Sequence, residues 1–206
     1  MRLIHPKKYW RFAKGQWSHV VDQWRLWCFK REAQRCGVQL VLGEGVRVED
    51  CHIWTEGSTL NRKLIIGDKC NLLGAKFAFH GSNSTIRLWG GVKINATFGH
   101  ITAFHVSEKR SIEIGECCLF ANSIWVSTSD WHKVYNRNER INVDKSIKIG
   151  KHVWIGERAY ITKGVSIADG SIVGACSVVT KSLEQKNVMI AGNPAIIKKE
   201  NISWEE

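Results

Sequence analysis

From Ile149 onward every sixth residue is a β-branched aliphatic: Ile149, Ile155, Ile161, Ile167, Val173 and Val179. Four positions after each of the first five stands a small or short side chain, namely Val153, Ala159, Val165, Ser171 and Ser177. Glycine follows the aliphatic at Ile149-Gly150, Ile155-Gly156 and Val173-Gly174. A period of six is neither the 3.6 of a helix nor the 2 of a lone strand. It predicts short strands joined by tight corners, with the large aliphatic inward and the small residue where the corner narrows. Each coil then buries the face of the next, as in a solenoid. Glycine and β-branched residues are poor helix formers, which excludes the helical alternative.

The same grammar runs upstream with interruptions. Leu42-Gly43, Val48 and Trp54 are six apart, as are Ile66-Gly67 and Leu72. Leu88, Ile94 and His100 follow in a shifted phase, then Ile114-Gly115, Phe120 and Val126. The intervals from Ile66 to Leu88, Ile114 and Ile149 grow from 22 to 26 to 35 residues. A coil of three hexads needs 18, so the surplus is extruded as loops, the longest between Val126 and Ile147.

Charge and tryptophan divide the chain near Cys36-Gly37. Met1–Cys36 holds nine Lys or Arg against Asp22 and Glu32, so +7 of the formal +11 lies there. Residues 37–206 are nearly balanced, which argues against nucleic acid as a partner of the body. The segment 1–36 also carries Trp10, Trp17, Trp24 and Trp27, with Val20 and Val21 on the same side of a predicted helix. Capping of the open solenoid end is one reading of that face; peripheral contact with an anionic membrane is an addition to it. No signal-peptide or membrane-spanning run is present, and seven scattered Cys without C-x-x-C spacing predict reduced thiols and no metal site. The expected location is cytoplasmic, with the inner membrane face as the place of any such contact.

The loop Ser129-Asp130-Trp131-His132, the run I-K-I-G-K-H-V-W-I-G (Ile147–Gly156), S-V-V-T-K (Ser177–Lys181) and A-G-N-P-A (Ala191–Ala195) occur in this order. Over Ile112–Lys199 the chain resembles the hexapeptide-repeat acyltransferases, in the branch that O-acetylates sugars and polysaccharides. The resemblance implies an all-β fold, a left-handed parallel β-helix over 37–206; the helical segment 1–36 that precedes it matches no element of the family. It also implies a homotrimer, acetyl-CoA as co-substrate and a glycan hydroxyl in a cell-surface polysaccharide as acceptor. An N-acetyltransferase of an amino sugar or small-molecule drug is the neighbouring alternative. A noncatalytic β-helix scaffold is the alternative from another class, and retention of His132 and Trp154 speaks against it.

A sugar hydroxyl is a weak nucleophile, so its attack on a thioester needs a positioned base, and imidazole suits that task near neutral pH. The resemblance makes His132 the general base. Asp130 is expected either to orient its ring or to bond its own backbone. Trp154 falls at a corner, where an indole would cover the acyl donor. By resemblance Gly156, Glu157, Ala175, Thr180 and Lys181 occupy coenzyme A positions, although Glu157 departs from the small or neutral residue expected there. Lys181 brings a cation to the phosphates, and Lys198 and Lys199 are either further phosphate partners or solvated surface lysines. His152 is expected in a turn, and His80, His100 and His105 in or near upstream loops; one of these would suit an acceptor contact, but each is read as an ordinary polar residue.

Overall fold

A computed structural model describes residues 6–57, 60–97 and 99–206, with side chains from residue 20 onward. The helix α1 (Pro6–Arg35) is followed by six coils, each giving one strand to each of three sheets. The first coil comprises β1 (Val38–Leu42), β2 (Arg47–Glu49) and β3 (His52–Glu56); the second β4 (Arg62–Ile66), β5 (Asn71–Leu73) and β6 (Ala75–His80). The third holds β7 (Thr85–Leu88), β8 (Lys93–Asn95) and β9 (Thr102–Ser107); the fourth β10 (Ser111–Ile114), β11 (Leu119–Phe120) and β12 (Trp125–Ser127). A small hairpin, β13 (Tyr135–Asn136) with β14 (Glu139–Arg140), lies in the long loop that follows. The fifth coil is β15 (Ile147–Ile149), β16 (Trp154–Ile155) and β17 (Tyr160–Ile161). The sixth is β18 (Ser166–Ile167), β19 (Ile172–Val173) and β20 (Val178–Val179). The antiparallel pair β21 (Met189–Gly192) and β22 (Ala195–Lys199) closes the end. Sheet A collects the first strand of each coil, sheet B the second and sheet C the third, all in parallel pairing apart from that terminal pair.

The six-residue period is a consequence of stacking in register. In sheet B Val48, Leu72, Ile94, Phe120, Ile155, Val173 and Ile190 sit above one another. In sheet C the inward column is Ile53, Phe77, Phe104, Val126, Ile161 and Val179. All are buried, and Phe77 stacks on Phe104 with centroids 5.6 Å apart. Trp54 was expected inward and is instead exposed, with Ile53 in its place; the corner before β3 is one residue shorter and turns through Asp50 at φ 52°. His100 likewise lies in a loop, and Phe104 fills the core. Recurrent glycine at the corner between sheets A and B reflects contact between coils, since a Cβ on Gly115 would lie 2.4 Å from the Gly150 carbonyl oxygen.

The helix α1 packs on the first coil through Phe29 and Ala33, with the Phe29 ring edge-on to Phe77 at 6.2 Å. The capping face is therefore not the tryptophan face: Trp24 and Trp27 are exposed, as are Val20 and Val21. The side chains of Trp10 and Trp17 lie outside the described residues. All seven cysteines are free thiols, and among the described residues no helix is long and apolar enough to cross a membrane.

Candidate active site

Strand alternation and pairing fix which side chains share the outer surface of sheet C. One row runs from Glu56 to His80 to Ser107. The next holds Trp54, Ala78, His105 and Ser127, and a third Lys76, Ala103, Trp125 and Tyr160. Ala78 and Ala103 face outward yet are buried, because aromatic rings close over them. The His105 ring stacks on Trp125 at 4.1 Å and lies 5.5 Å from the His80 ring.

These imidazoles form a hydrogen-bonded chain. Glu56 Oε2 is 3.2 Å from His80 Nδ1, and His80 Nε2 is 3.2 Å from His105 Nδ1. A carboxylate only accepts, so His80 donates from Nδ1 and its neutral ring accepts at Nε2. His105 must then donate from Nδ1, which leaves Nε2 as a bare lone pair. That atom is buried and has no hydrogen-bond partner among the described residues. Burial, reinforced by the charge of Lys76 and by that of His80 when it is protonated, pushes the His105 imidazole down to about 4. Burial also lowers His80, against the opposing pull of Glu56. Both rings are thus neutral at pH 7.

The long loop leaves sheet C at Ser127 and returns to sheet A at Ile147, folding Trp131 back over this surface. The indole stands edge-on to His80 at 4.4 Å and to His105 at 5.1 Å. Trp131 adopts φ 68°, a costly conformation for a bulky residue. Beneath it is a hollow of about 230 Å³ lined by these rings, by Ser107, Ser127 and Ser129, and by Glu56, Glu108 and Asp144. The loop is braced from within: Ser129 Oγ donates to Asp144 at 3.1 Å, and Arg140 pairs with the same carboxylate at 3.0 Å.

His132 is exposed in this loop. Its carbonyl accepts from Asn142 Nδ2 at 2.7 Å, and among the described residues its ring has no hydrogen-bond partner. Asp130 does not orient that ring. Its Oδ2 instead takes hydrogen bonds from Lys163 Nζ and Asn142 Nδ2, because Lys163 rises from the adjacent coil directly beside it. Lys163 also donates to the Asn142 carbonyl at 2.9 Å, so one cation ties together both legs of the loop.

The remaining expected residues occupy other parts of the solenoid. Gly156, Glu157 and Ala175 meet at the corner between sheets B and C, where Cys176 N donates to the Glu157 carbonyl at 2.8 Å. A Cβ on Gly156 would lie 2.7 Å from Ala175 N. Thr180 and Lys181 follow β20 at the corner between sheets C and A, one coil beyond Thr162 and Lys163, and both are exposed. Lys198 and Lys199 are exposed on β22. Trp154 is exposed on sheet B, with the Trp204 ring 6.1 Å away. Trp204 itself stacks on His152 at 4.0 Å and donates from Nε1 to the His152 carbonyl. The loop with His132 springs from the corner between sheets C and A, and Trp154 stands on sheet B across the coil.

His80 and His105, expected in or near loops, lie in β6 and β9, with His105 buried and His80 half-buried. The signal that finds them is coil register, which pairs Glu56 with His80, 24 residues on, and sets His105, 25 further on, in the neighbouring row. Among the described residues no group of three or more His, Cys, Asp or Glu side chains is arranged to hold a metal ion.

Parallel coils of six-residue period, broken by one braced polar loop, define a hexapeptide-repeat β-solenoid. Residues 146–181 match the family described as bacterial transferase hexapeptide (six repeats). Over 190 residues it is 27% identical to WcaF of Escherichia coli (strain K12), assigned as a colanic acid biosynthesis acetyltransferase; the match covers 92% of this chain and 82% of that protein. The solved polysialic-acid-specific acetyltransferase NeuO is 28% identical, with a TM-score of 0.62 over 82% of this chain and 79% of that one. The polysialic acid O-acetyltransferase OatWY is also 28% identical, with a TM-score of 0.58 over 82% and 90%. AntD, an N-acyltransferase of Bacillus cereus solved with dTDP and coenzyme A, shares the fold at 16% identity, with a TM-score of 0.56 over 82% and 88%.

Proposed function

We propose that this protein transfers the acetyl group of acetyl-CoA to a hydroxyl of a saccharide in a cell-surface polysaccharide, with His132 as general base. The observation that carries the reading is the state of His132: its backbone is fastened by Asn142 while its ring is exposed and, among the described residues, without a hydrogen-bond partner. Such a ring is open to an incoming hydroxyl. The hydroxyl oxygen attacks the thioester carbonyl carbon as its proton passes to the imidazole. The tetrahedral intermediate then collapses, breaking the C–S bond, and the departing thiolate takes the proton from the imidazolium. Two relatives at 28% identity are polysialic-acid acetyltransferases and WcaF is assigned to colanic acid, which favours an ester over an amide product.

Acetyl-CoA fits the exposed residues of the last two coils. Trp154 offers an indole to the acyl arm, and the corner of Gly156, Glu157 and Ala175 leaves backbone accessible. Thr180, Lys181 and Lys198 supply a hydroxyl and two cations toward the phosphates. Placement of His132 at one corner and Trp154 on the sheet across the coil supports a homotrimer whose sites lie between subunits.

Saccharide-dependent release of thiol from acetyl-CoA tests this. His132→Ala is expected to lower the rate by at least ~10²-fold without changing the thermal melt. Full activity in that variant overturns the assignment of the base. A product stable to mild alkali identifies an amide and overturns the O-acetyl reading.

A further inference from the structure

Resting on the reading above, we infer that the hollow under Trp131 is the acceptor subsite, in which an uncharged sugar ring donates a hydroxyl hydrogen bond to His105 Nε2. Three observations converge on it.

The first is the unpaired atom. His105 is only 6% exposed, and its Nε2 is a buried acceptor without a partner among the described residues. Buried polar atoms are nearly always paired in native proteins, so an orphan of this kind asks for a ligand. Its character as an acceptor is dictated by Glu56 and His80, which fix the tautomer through two successive hydrogen bonds. A sugar hydroxyl is the matching donor.

The second is the lining. Hydroxyls of Ser107, Ser127 and Ser129 lie beside an indole and two imidazole rings. Polar groups convergent on an aromatic wall suit the alternating polar edges and apolar faces of a pyranose. Trp131 closes one side, its indole edge-on to both imidazoles.

The third is charge. The hollow is bordered by three carboxylates, Glu56, Glu108 and Asp144, and among the described residues no Lys or Arg lines it. Arg140 engages Asp144 and His80 engages Glu56, while Glu108 is exposed at the rim. An anionic sugar would meet like charge without a cation to receive it. The subsite therefore selects against sialic or uronic acids, in contrast to the polysialic acid that two relatives' names specify. The hollow also adjoins the catalytic loop, since Trp131 immediately precedes His132.

The test uses the full chain and reads binding apart from turnover. Saturation-transfer NMR with methyl hexosides, methyl glucuronide and disialic acid reports binding, and thiol release with acetyl-CoA reports transfer. Uncharged hexosides are expected to show saturation transfer and the two acids none. His105→Phe is expected to abolish the hexoside signal and raise the acceptor KM at least tenfold, with coenzyme A affinity retained. Glu108→Lys, at an exposed rim position tolerant of substitution, is expected to admit the anionic glycosides. His132→Ala should bind hexosides like the wild type while failing to transfer. The inference is overturned if the wild type binds no hexoside or prefers the acids. It is equally overturned if both His105→Phe and Glu108→Lys leave binding unchanged. Hexoside binding lost in His105→Phe, in a wild type that acetylates nothing, would uphold the subsite and remove the proposed reaction.

Discussion

His105 illustrates how a single neutral side chain carries a pH-dependent cost. In the native chain burial holds it down at about 4, and the adjacent His80 is lowered as well. An unfolded His binds its proton near pH 6.5. As pH falls below that value the unfolded state takes up protons that the native state refuses, so stability declines. The decline from His105 ends near pH 4, where the native ring protonates too, and amounts to at most about 3 kcal/mol. Above pH 6.5 neither state is protonated and the effect vanishes. Urea midpoints are therefore expected to drop between pH 6.5 and 4.5, and to drop less in His105→Phe. Parallel loss in the two proteins would show that the acid sensitivity lies elsewhere.

Among the elements, the extruded loop depends most on one distant contact. Lys163, at the corner after β17, is mostly buried and bonds both Asp130 and the Asn142 carbonyl, while Asn142 holds the His132 carbonyl. Lys163→Met keeps the length and apolar stem of the side chain but removes these bonds. The expected result is a fall in kcat of about tenfold with little change in the melt, since misplacement of a catalytic group is costly even when the fold is intact. An unchanged kcat would mean that the loop is positioned by its internal pairs alone. This brace also shows where the sequence stops being legible. The hexad of the last coils reported the core columns of all three sheets, because stacking in register repeats the same inward position. Where one corner lost a residue, at Trp54, the count slipped by one and pointed the indole inward. Asp130 suggested a partner for His132 by proximity in sequence, yet its actual partner comes from the next coil. His80 and His105 were invisible for the same reason: their relation exists only once coils are in register. The tryptophan spacing of α1 foretold a helix with an apolar side, but not that Phe29 and Ala33 would form the contact.

At the scale of the whole molecule, the solenoid's geometry separates what the chemistry must join. The loop of His132 springs from the corner between sheets C and A, whereas Trp154 stands on sheet B across the coil. A cyclic trimer sets one subunit's corner against the next subunit's face, so each site would draw on two chains. This has a consequence that no single-chain site shares. His132→Ala and Trp154→Ala homotrimers are each expected to be inactive, because every site in them lacks one of the two groups. When the two variants are co-expressed with different tags and mixed trimers are isolated, some sites receive His132 from one variant and Trp154 from the other. Every mixed trimer holds about one complete site in three, so recovery of roughly a third of wild-type activity is expected. If each active site were built within one chain, every site in the mixture would still carry a lesion, and no activity would return.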